Sequence, residues 1–187
     1  MDINQIIDKI GILPEASKNA LKETITEATY PKGHILFRAN KVETKVYFIK
    51  RGVVRAYTEM ANTEITFWFG REGDTVVSMK SYVNGQKGYE NVELLEECEL
   101  YEMKKQALYE LFGKDIHLAN WGREFAEQEL LKTEERFINR QLKTSTERYR
   151  ELMNNNPDLL QRVQLGYIAS FLGITQVSLS RIRAKFR

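Results

Sequence analysis

A group of hydrogen-bonding and basic side chains near the end of the chain has the composition and spacing to read a nucleic acid. Its members are Thr175, Gln176, Ser178, Ser180, Arg181, Arg183 and Lys185, with Arg187 following them. Glutamine and arginine can each make paired hydrogen bonds to the edge of a base, and serine can contact a base or a phosphate. Basic side chains toward the end of such a segment suit phosphates. We expect this group to form a DNA-binding surface.

The distribution of charge agrees with this expectation, although the net charge is only +2. Residues 1–115 hold 16 Lys and Arg against 18 Asp and Glu, whereas residues 136–187 hold 10 against 3. After residue 160 there are five basic residues and no acidic residue. A basic end on a slightly acidic body is typical of a protein that contacts nucleic acid. A solvated basic tail would give the same counts, so charge alone leaves both interpretations open.

The elements that would present these side chains are two short helices joined by a tight turn. Ala169 is the small residue needed where two helices cross closely, and Gly173 suits the left-handed conformation of a turn. Thr175 can cap the second helix with its side-chain oxygen. Apolar residues recur at the positions that would interlock, namely Ile168, Leu172, Ile174, Leu179 and Ile182. The spacing predicts a helix-turn-helix over residues 164–187; the alternative is a plain helical hairpin with a polar outer face.

Residues 34–103 have the pattern of short β-strands. Runs rich in β-branched and aromatic residues cover 34–37, 45–50, 53–58, 64–69, 75–79, 90–95 and 99–103. Turn-forming residues separate them at Asn40, Gly52, Ala61-Asn62, Gly70, Gly73-Asp74 and Asn84-Gly85. This pattern indicates an antiparallel jelly roll or small barrel. Apolar residues at helical spacing predict a helix over 2–10 and a second from Pro14 to Ala28, so the expected fold class is α+β.

A long helix is predicted after the strands, over residues 116–138. Its large apolar residues are Leu118, Trp121, Phe125, Leu130, Leu131, Phe137 and Ile138. They do not follow a strict heptad, so the sequence does not predict a regular coiled coil. We expect the apolar stripe to join two copies of the chain in a two-fold homodimer. The alternative is that the helix packs on the β domain of its own chain.

The sequence contains few candidate catalytic or metal-ligating residues. The two histidines, His34 and His117, lie on different predicted elements, and the acidic cluster at 96–102 is typical of a solvated strand edge. Cys98 is the single cysteine, so a four-thiolate cluster cannot form within the chain. We expect no enzymatic activity, no cofactor and no metal.

The N-terminal sequence predicts no export signal. It lacks a basic region and a continuous apolar run. No apolar run approaches the roughly 18 residues that a membrane helix needs. We expect a cytoplasmic protein without a membrane partner.

The order of these features, and the residues that carry them, resemble the Crp/Fnr family of regulators. The segments YPKGHILF, KVYFIKRGVVRAY and ITFWFGREGD are similar to that family's strand and turn motifs, and LGYIASFLGITQVSLSRIRAKF to its helix-turn-helix. The resemblance implies a cyclic-nucleotide-binding-type β roll over residues 1–115, a dimerisation helix and hinge over 116–142, and a DNA-binding domain over 143–187. It also implies a transcription regulator that binds a palindromic operator in double-stranded DNA as a homodimer and contacts RNA polymerase.

Three positions of the second helix match residues that typically read bases in that family. They are Gln176, Val177 and Arg181. Val177 stands where the family usually has an acidic residue. We therefore expect an operator sequence that differs from the family's usual one.

The resemblance also implies an effector pocket in the β roll. In nucleotide-binding members a Gly-Glu pair holds the ribose and an Arg-Ser pair holds the cyclic phosphate, and here those positions read Val77-Ser78 and Gly88-Tyr89, with Lys87 nearby. Phosphate capture needs a cation or convergent donors. We expect an unidentified small-molecule effector, or none, and not cyclic AMP. The alternative function is a ligand-sensing module without sequence-specific DNA binding.

Overall fold

The computed structural model describes residues 1–61 and 63–186 of this α+β chain. The helices are α1 (Ile3–Ile10), α2 (Glu15–Lys22), α3 (Met79–Asn84), α4 (Lys105–Lys114), α5 (Ile116–Leu142), α6 (Ser145–Asn155), α7 (Leu159–Arg162), α8 (Leu165–Leu172) and α9 (Gln176–Ala184). The strands are β1 (Thr26–Tyr30), β2 (Ile35–Phe37), β3 (Lys45–Arg51), β4 (Val54–Met60), β5 (Thr63–Gly70), β6 (Thr75–Val76), β7 (Asn91–Leu94) and β8 (Cys98–Lys104).

The strands form two four-stranded sheets, with the orders β1-β8-β3-β6 and β2-β7-β4-β5. The β1–β8, β3–β8, β3–β6 and β2–β7 pairs are antiparallel. In the first sheet Tyr47 lies opposite both Glu102 and Val76, which fixes the register of three neighbouring strands. The predicted antiparallel β domain is therefore confirmed, because each predicted strand run overlaps an observed strand.

Two local predictions were wrong. The second helix was predicted to continue to Ala28, but α2 ends at Lys22 and residues 26–30 form β1, paired with β8 from Thr26↔Glu102 to Tyr30↔Cys98. Pairing with a strand more than 60 residues away outweighs the weak local helical pattern. The run 75–79 ends as a strand at Val76, and Met79 begins α3, which Gly85 closes in the left-handed conformation.

The core of the β domain includes the first half of α5. Buried side chains from α1, α2, β3, β8, α4 and α5 form one cluster, and Phe125 packs against it. The rings of Trp121 and Phe48 lie 6.5 Å apart. The indole N–H of Trp121 donates to the carbonyl oxygen of Ile7 at 3.0 Å. The first part of the predicted dimer stripe is thus covered by the chain itself, which is the alternative that the sequence left open.

The chain divides into two compact units. One contains residues 1–56 and 69–129, and the other contains residues 57–68 and 130–187. The division falls within α5 and within the β4–β5 hairpin, so it does not coincide with the predicted limits at 115 and 142. Within the described residues, no helix is long and apolar enough to cross a membrane.

Candidate nucleic-acid interface

The helices α8 and α9 meet at a turn whose local geometry matches the prediction. Gly173 has φ +67° and follows the last residue of α8, and its N–H donates to the carbonyl oxygen of Ser170 at 3.0 Å. The Thr175 hydroxyl oxygen accepts the N–H of Ser178 at 3.1 Å and so caps α9. Of the apolar residues predicted to interlock, Ile168, Leu172, Leu179 and Ile182 are buried and Ile174 is half-buried; Ala169 is buried as well.

The outer face of α9 is open to solvent. The exposed residues are Thr175, Gln176, Val177, Ser180, Arg181, Ala184 and Lys185. Ser178 and Arg183 are half-buried. The Thr175 hydroxyl donates to the Ser178 hydroxyl oxygen at 3.0 Å, so both hydroxyls already have a partner within the cap. Gln176, Ser180, Arg181 and Lys185 are therefore the predicted residues best placed to contact a ligand. Arg187 lies outside the described residues, as does Asn62 of a predicted turn.

Gly166 lies beside Gln176. A Cβ atom at position 166 would come within 3.0 Å of the Gln176 amide nitrogen. Glycine is a poor helix former in the first turn of α8. The absent side chain leaves room for the Gln176 amide in its observed position.

Two residues of β5 hydrogen-bond to Ser170 of α8. The Ser170 hydroxyl oxygen accepts the N–H of Thr66 at 2.9 Å, and the hydroxyl donates to the carbonyl oxygen of Glu64 at 2.8 Å. At the end of α9, Phe186 packs on Tyr149, and the Arg150 guanidinium lies 5.4 Å from the Phe186 ring centre. Sequence reasoning missed these contacts because each joins segments that are distant along the chain.

The predicted effector residues of the β roll are largely occupied by contacts with their own chain. Val77 packs against the core, and Ser78 is buried, with its hydroxyl donating to that of Ser81 at 3.2 Å. The Ser81 hydroxyl in turn donates to the carbonyl oxygen of Gln86 and accepts the N–H of Glu43. This buried hydroxyl pair is satisfied without a ligand.

Gly88 lies close to the backbone of Lys41 and the side chain of Ser78. Its N–H donates to the carbonyl oxygen of Lys41 at 2.9 Å, and a Cβ atom here would meet the Ser78 hydroxyl oxygen at 2.7 Å. The buried Glu90 carboxylate lies beside it and accepts the N–H of Tyr89. Lys87 and Tyr89 are exposed. The structure thus brings a carboxylate, rather than a cation, next to the predicted phosphate position.

Comparison with known proteins agrees with this architecture. Residues 27–115 match the family model of the cyclic nucleotide-binding domain. No curated protein matches the chain. FixK2 from Bradyrhizobium japonicum is 20% identical, with a TM-score of 0.72 over 86% of this chain and 83% of that one.

Two further solved structures have similar scores. The c-di-GMP responsive global regulator CLP from Xanthomonas campestris is 17% identical, with a TM-score of 0.70 over 92% of this chain and 91% of that one. A regulator assigned to the Crp/Fnr family from Eubacterium rectale is 17% identical, with a TM-score of 0.73 over 93% and 83%. Residues 27–115 therefore match the cyclic nucleotide-binding domain, and the chain shares the fold of solved Crp/Fnr family regulators.

Proposed function

We propose that this chain is a DNA-binding transcription regulator of the Crp/Fnr type, which binds a palindromic operator as a homodimer. The observation that carries the proposal is the α8–α9 pair. Its buried side chains hold two helices across a left-handed glycine turn, and α9 presents amide, hydroxyl and guanidinium groups to solvent. A helix of this kind fits the major groove of duplex DNA.

The exposed side chains of α9 divide into two roles. Gln176 and Arg181 would make paired hydrogen bonds to base edges, and Val177, which is 60% exposed, would contact a thymine methyl group. Lys185 and Arg183 would contact phosphates. Thr175 and Ser178 form the cap and would contribute contacts through groups that are already oriented. RNA polymerase remains a proposed partner that rests on the family resemblance.

The proposed dimer uses the second half of α5. Large apolar side chains there are exposed, namely Leu130 (70%), Leu131 (55%), Phe137 (64%), Ile138 (45%) and Leu142 (79%). Leu130 and Phe137 are seven residues apart, as are Leu131 and Ile138, so the pairs recur on one side of the helix. Identical stripes on two copies would cover each other in an isologous contact. Two α9 helices placed about 34 Å apart would then read a palindrome.

We further propose that cyclic AMP is not the effector. The buried hydroxyls of Ser78 and Ser81 are hydrogen-bonded to each other. The Glu90 carboxylate would repel a phosphate at Gly88. Calorimetry with cyclic AMP up to millimolar concentration should give no binding heat, whereas micromolar affinity would contradict this proposal.

Selection of bound duplexes from a random DNA pool tests the function. We expect an enriched palindrome with half-sites about 10 base pairs apart. Affinity for that duplex should fall with salt, with a slope of about 0.9 for each phosphate contact. The double variant Arg181→Ala/Lys185→Ala is the control and should enrich no sequence. Absence of enrichment by the unaltered chain would favour a ligand-sensing module instead.

A further inference from the structure

One side chain of α6 contacts the ends of two other helices. A nitrogen of the Arg148 guanidinium, Nη1, donates to the carbonyl oxygens of Lys143 at 2.7 Å and Arg140 at 3.3 Å. The second, Nη2, donates to the carbonyl oxygen of Leu172 at 2.9 Å. Arg140 lies in the last turn of α5, Lys143 directly follows that helix, and Leu172 is the last residue of α8. A single guanidinium thus connects the long helix to the turn before α9.

The chemistry of both helix ends favours this contact. The last four carbonyl groups of a helix have no partner within it, and they carry the negative end of the helix dipole. Arg148 satisfies such carbonyls at Leu172 of α8 and Arg140 of α5, with a planar, charged fork that a lysine cannot reproduce. The Arg140 side chain also reaches the same turn, because its Nη2 would lie 3.7 Å from a Cβ atom at Gly173.

Helix α8 also hydrogen-bonds to the β4–β5 hairpin, through Ser170. Arg148, by contrast, hydrogen-bonds to the backbone at the end of α5, the helix that carries the exposed apolar stripe. In the proposed dimer the stripe sets the two-fold axis. The angle between the end of α5 and the α8–α9 pair then decides the distance between the two α9 helices.

We propose that Arg148 is a positioning residue that sets the spacing of the two operator half-sites. The inference rests on the proposed function and names a residue that touches no base. It acts through Leu172 and the turn at Gly173, which place α9 relative to the end of α5. Loss of the guanidinium should leave each α9 able to read its half-site while the separation of the two becomes less well defined.

The test compares operators whose half-sites are separated by different numbers of base pairs. Arg148→Met keeps the length of the side chain and removes its donors. We expect the preference for the best spacer over spacers one base pair longer or shorter to fall by about fivefold or more, because charge-assisted hydrogen bonds no longer fix the angle. Base preferences within each half-site should not change. Arg148→Lys, which keeps the charge but has one nitrogen, should give an intermediate preference.

Arg150→Met is the matched control, because it removes the same charge from the same helix while the Arg150 side chain lies over Phe186. It should lower affinity for all spacers alike. A merely destabilising change would act in the same way, so the spacer preference separates positioning from stability. Should Arg148→Met fail to fold, Arg148→Lys carries the test.

The outcomes distinguish this inference from the proposed function. A sharp spacer preference in the unaltered chain that persists in the Arg148 variants overturns the role of Arg148 alone. No duplex binding by the unaltered chain overturns the proposed function, and this inference with it. A broadened spacer preference with intact half-site reading supports both.

Discussion

The two halves of α5 carry similar apolar residues, but they differ in what covers them. In the first half Leu118 is fully buried and Trp121 is 4% exposed. In the second half Leu130 is 70% exposed and Phe137 is 64% exposed. The first half packs on the β-domain core, whereas the second half presents its large side chains to solvent. One continuous helix therefore has an intramolecular part and a part that is open to a partner.

Polar contacts fix the first half where it packs. Trp121 donates to the carbonyl oxygen of Ile7, and the Gln128 amide donates to the carbonyl oxygen of Ile10 at 2.9 Å. The second half instead exposes several large apolar side chains, and apolar surface of this kind is common at interaction sites. We therefore expect changes in the first half to act on folding, and changes in the second half to act on the proposed dimer.

The largest effect is expected for Trp121→Ala. Removing a buried tryptophan leaves a cavity and costs about 3–5 kcal/mol of the free energy of unfolding. Denaturation monitored by circular dichroism would measure it. The control is Ile12→Ala, since Ile12 is 93% exposed and its loss should change stability by less than about 0.5 kcal/mol. A Trp121→Ala loss below about 1 kcal/mol would show that the first half is not part of the core.

A second, smaller effect is expected for Phe137→Glu. A carboxylate in the proposed interface would have to lose its hydration, so the dissociation constant of the dimer should rise about 100-fold or more. Sedimentation over a range of concentrations measures it. Lys132→Glu is the control, because position 132 lies about 140° around the helix from position 137, at roughly 100° per residue. If both variants remain dimers at the unaltered affinity, the exposed stripe is not the interface.

A third, smaller effect is expected for single substitutions in α9 and its C-terminal cap. Arg181→Ala should cost about 1–3 kcal/mol on the palindrome and relax the preference at one position of each half-site. Lys185→Ala should weaken binding to all sequences alike and lower the salt slope by about 1. In the Phe137→Glu background the Arg181→Ala loss should shrink, since only one α9 would be bound. Identical sequence profiles for the two single variants would contradict the assignment to bases and phosphates.

The smallest effect is the pH dependence of stability that comes from two carboxylates, Asp115 and Glu147. The Ser17 hydroxyl and the N–H groups of His117 and Leu118 lower the pKa of Asp115, at the start of α5. The Thr144 hydroxyl and N–H lower the pKa of Glu147, at the start of α6. Because both folded-state pKa values are lowered, the stabilisation is present above the unfolded-state values, near pH 4, and is lost as pH falls through the folded-state values.

Thermal melting between pH 7 and pH 3 measures this loss. Asp115→Asn should flatten the pH dependence of the melting temperature of the first unit. Glu147→Gln should do the same for the second unit. A profile that keeps its slope in both variants would assign the acid sensitivity to other carboxylates.

Several features could be predicted from the sequence because their signals are local. Gly173 and Thr175 specify the turn and the cap with their own backbone and side-chain chemistry, and both are as predicted. The strands of the roll are bounded by residues that favour turns, such as Asn40, which has φ +63°. The acid-free end of the chain follows directly from composition.

Other features depended on contacts between distant segments, and the sequence could not supply them. Residues 26–30 are a strand because β8 pairs with them, and Ser78 is satisfied because Ser81 lies within hydrogen-bond distance. Periodicity identified the apolar residues of α5 but not the surface that covers each of them. Arg148 gave no signal in the sequence, since its role comes from two helix ends that meet only in the folded chain. Local chemistry thus determined the turn and the cap, whereas tertiary packing decided which apolar and polar groups were left for a partner.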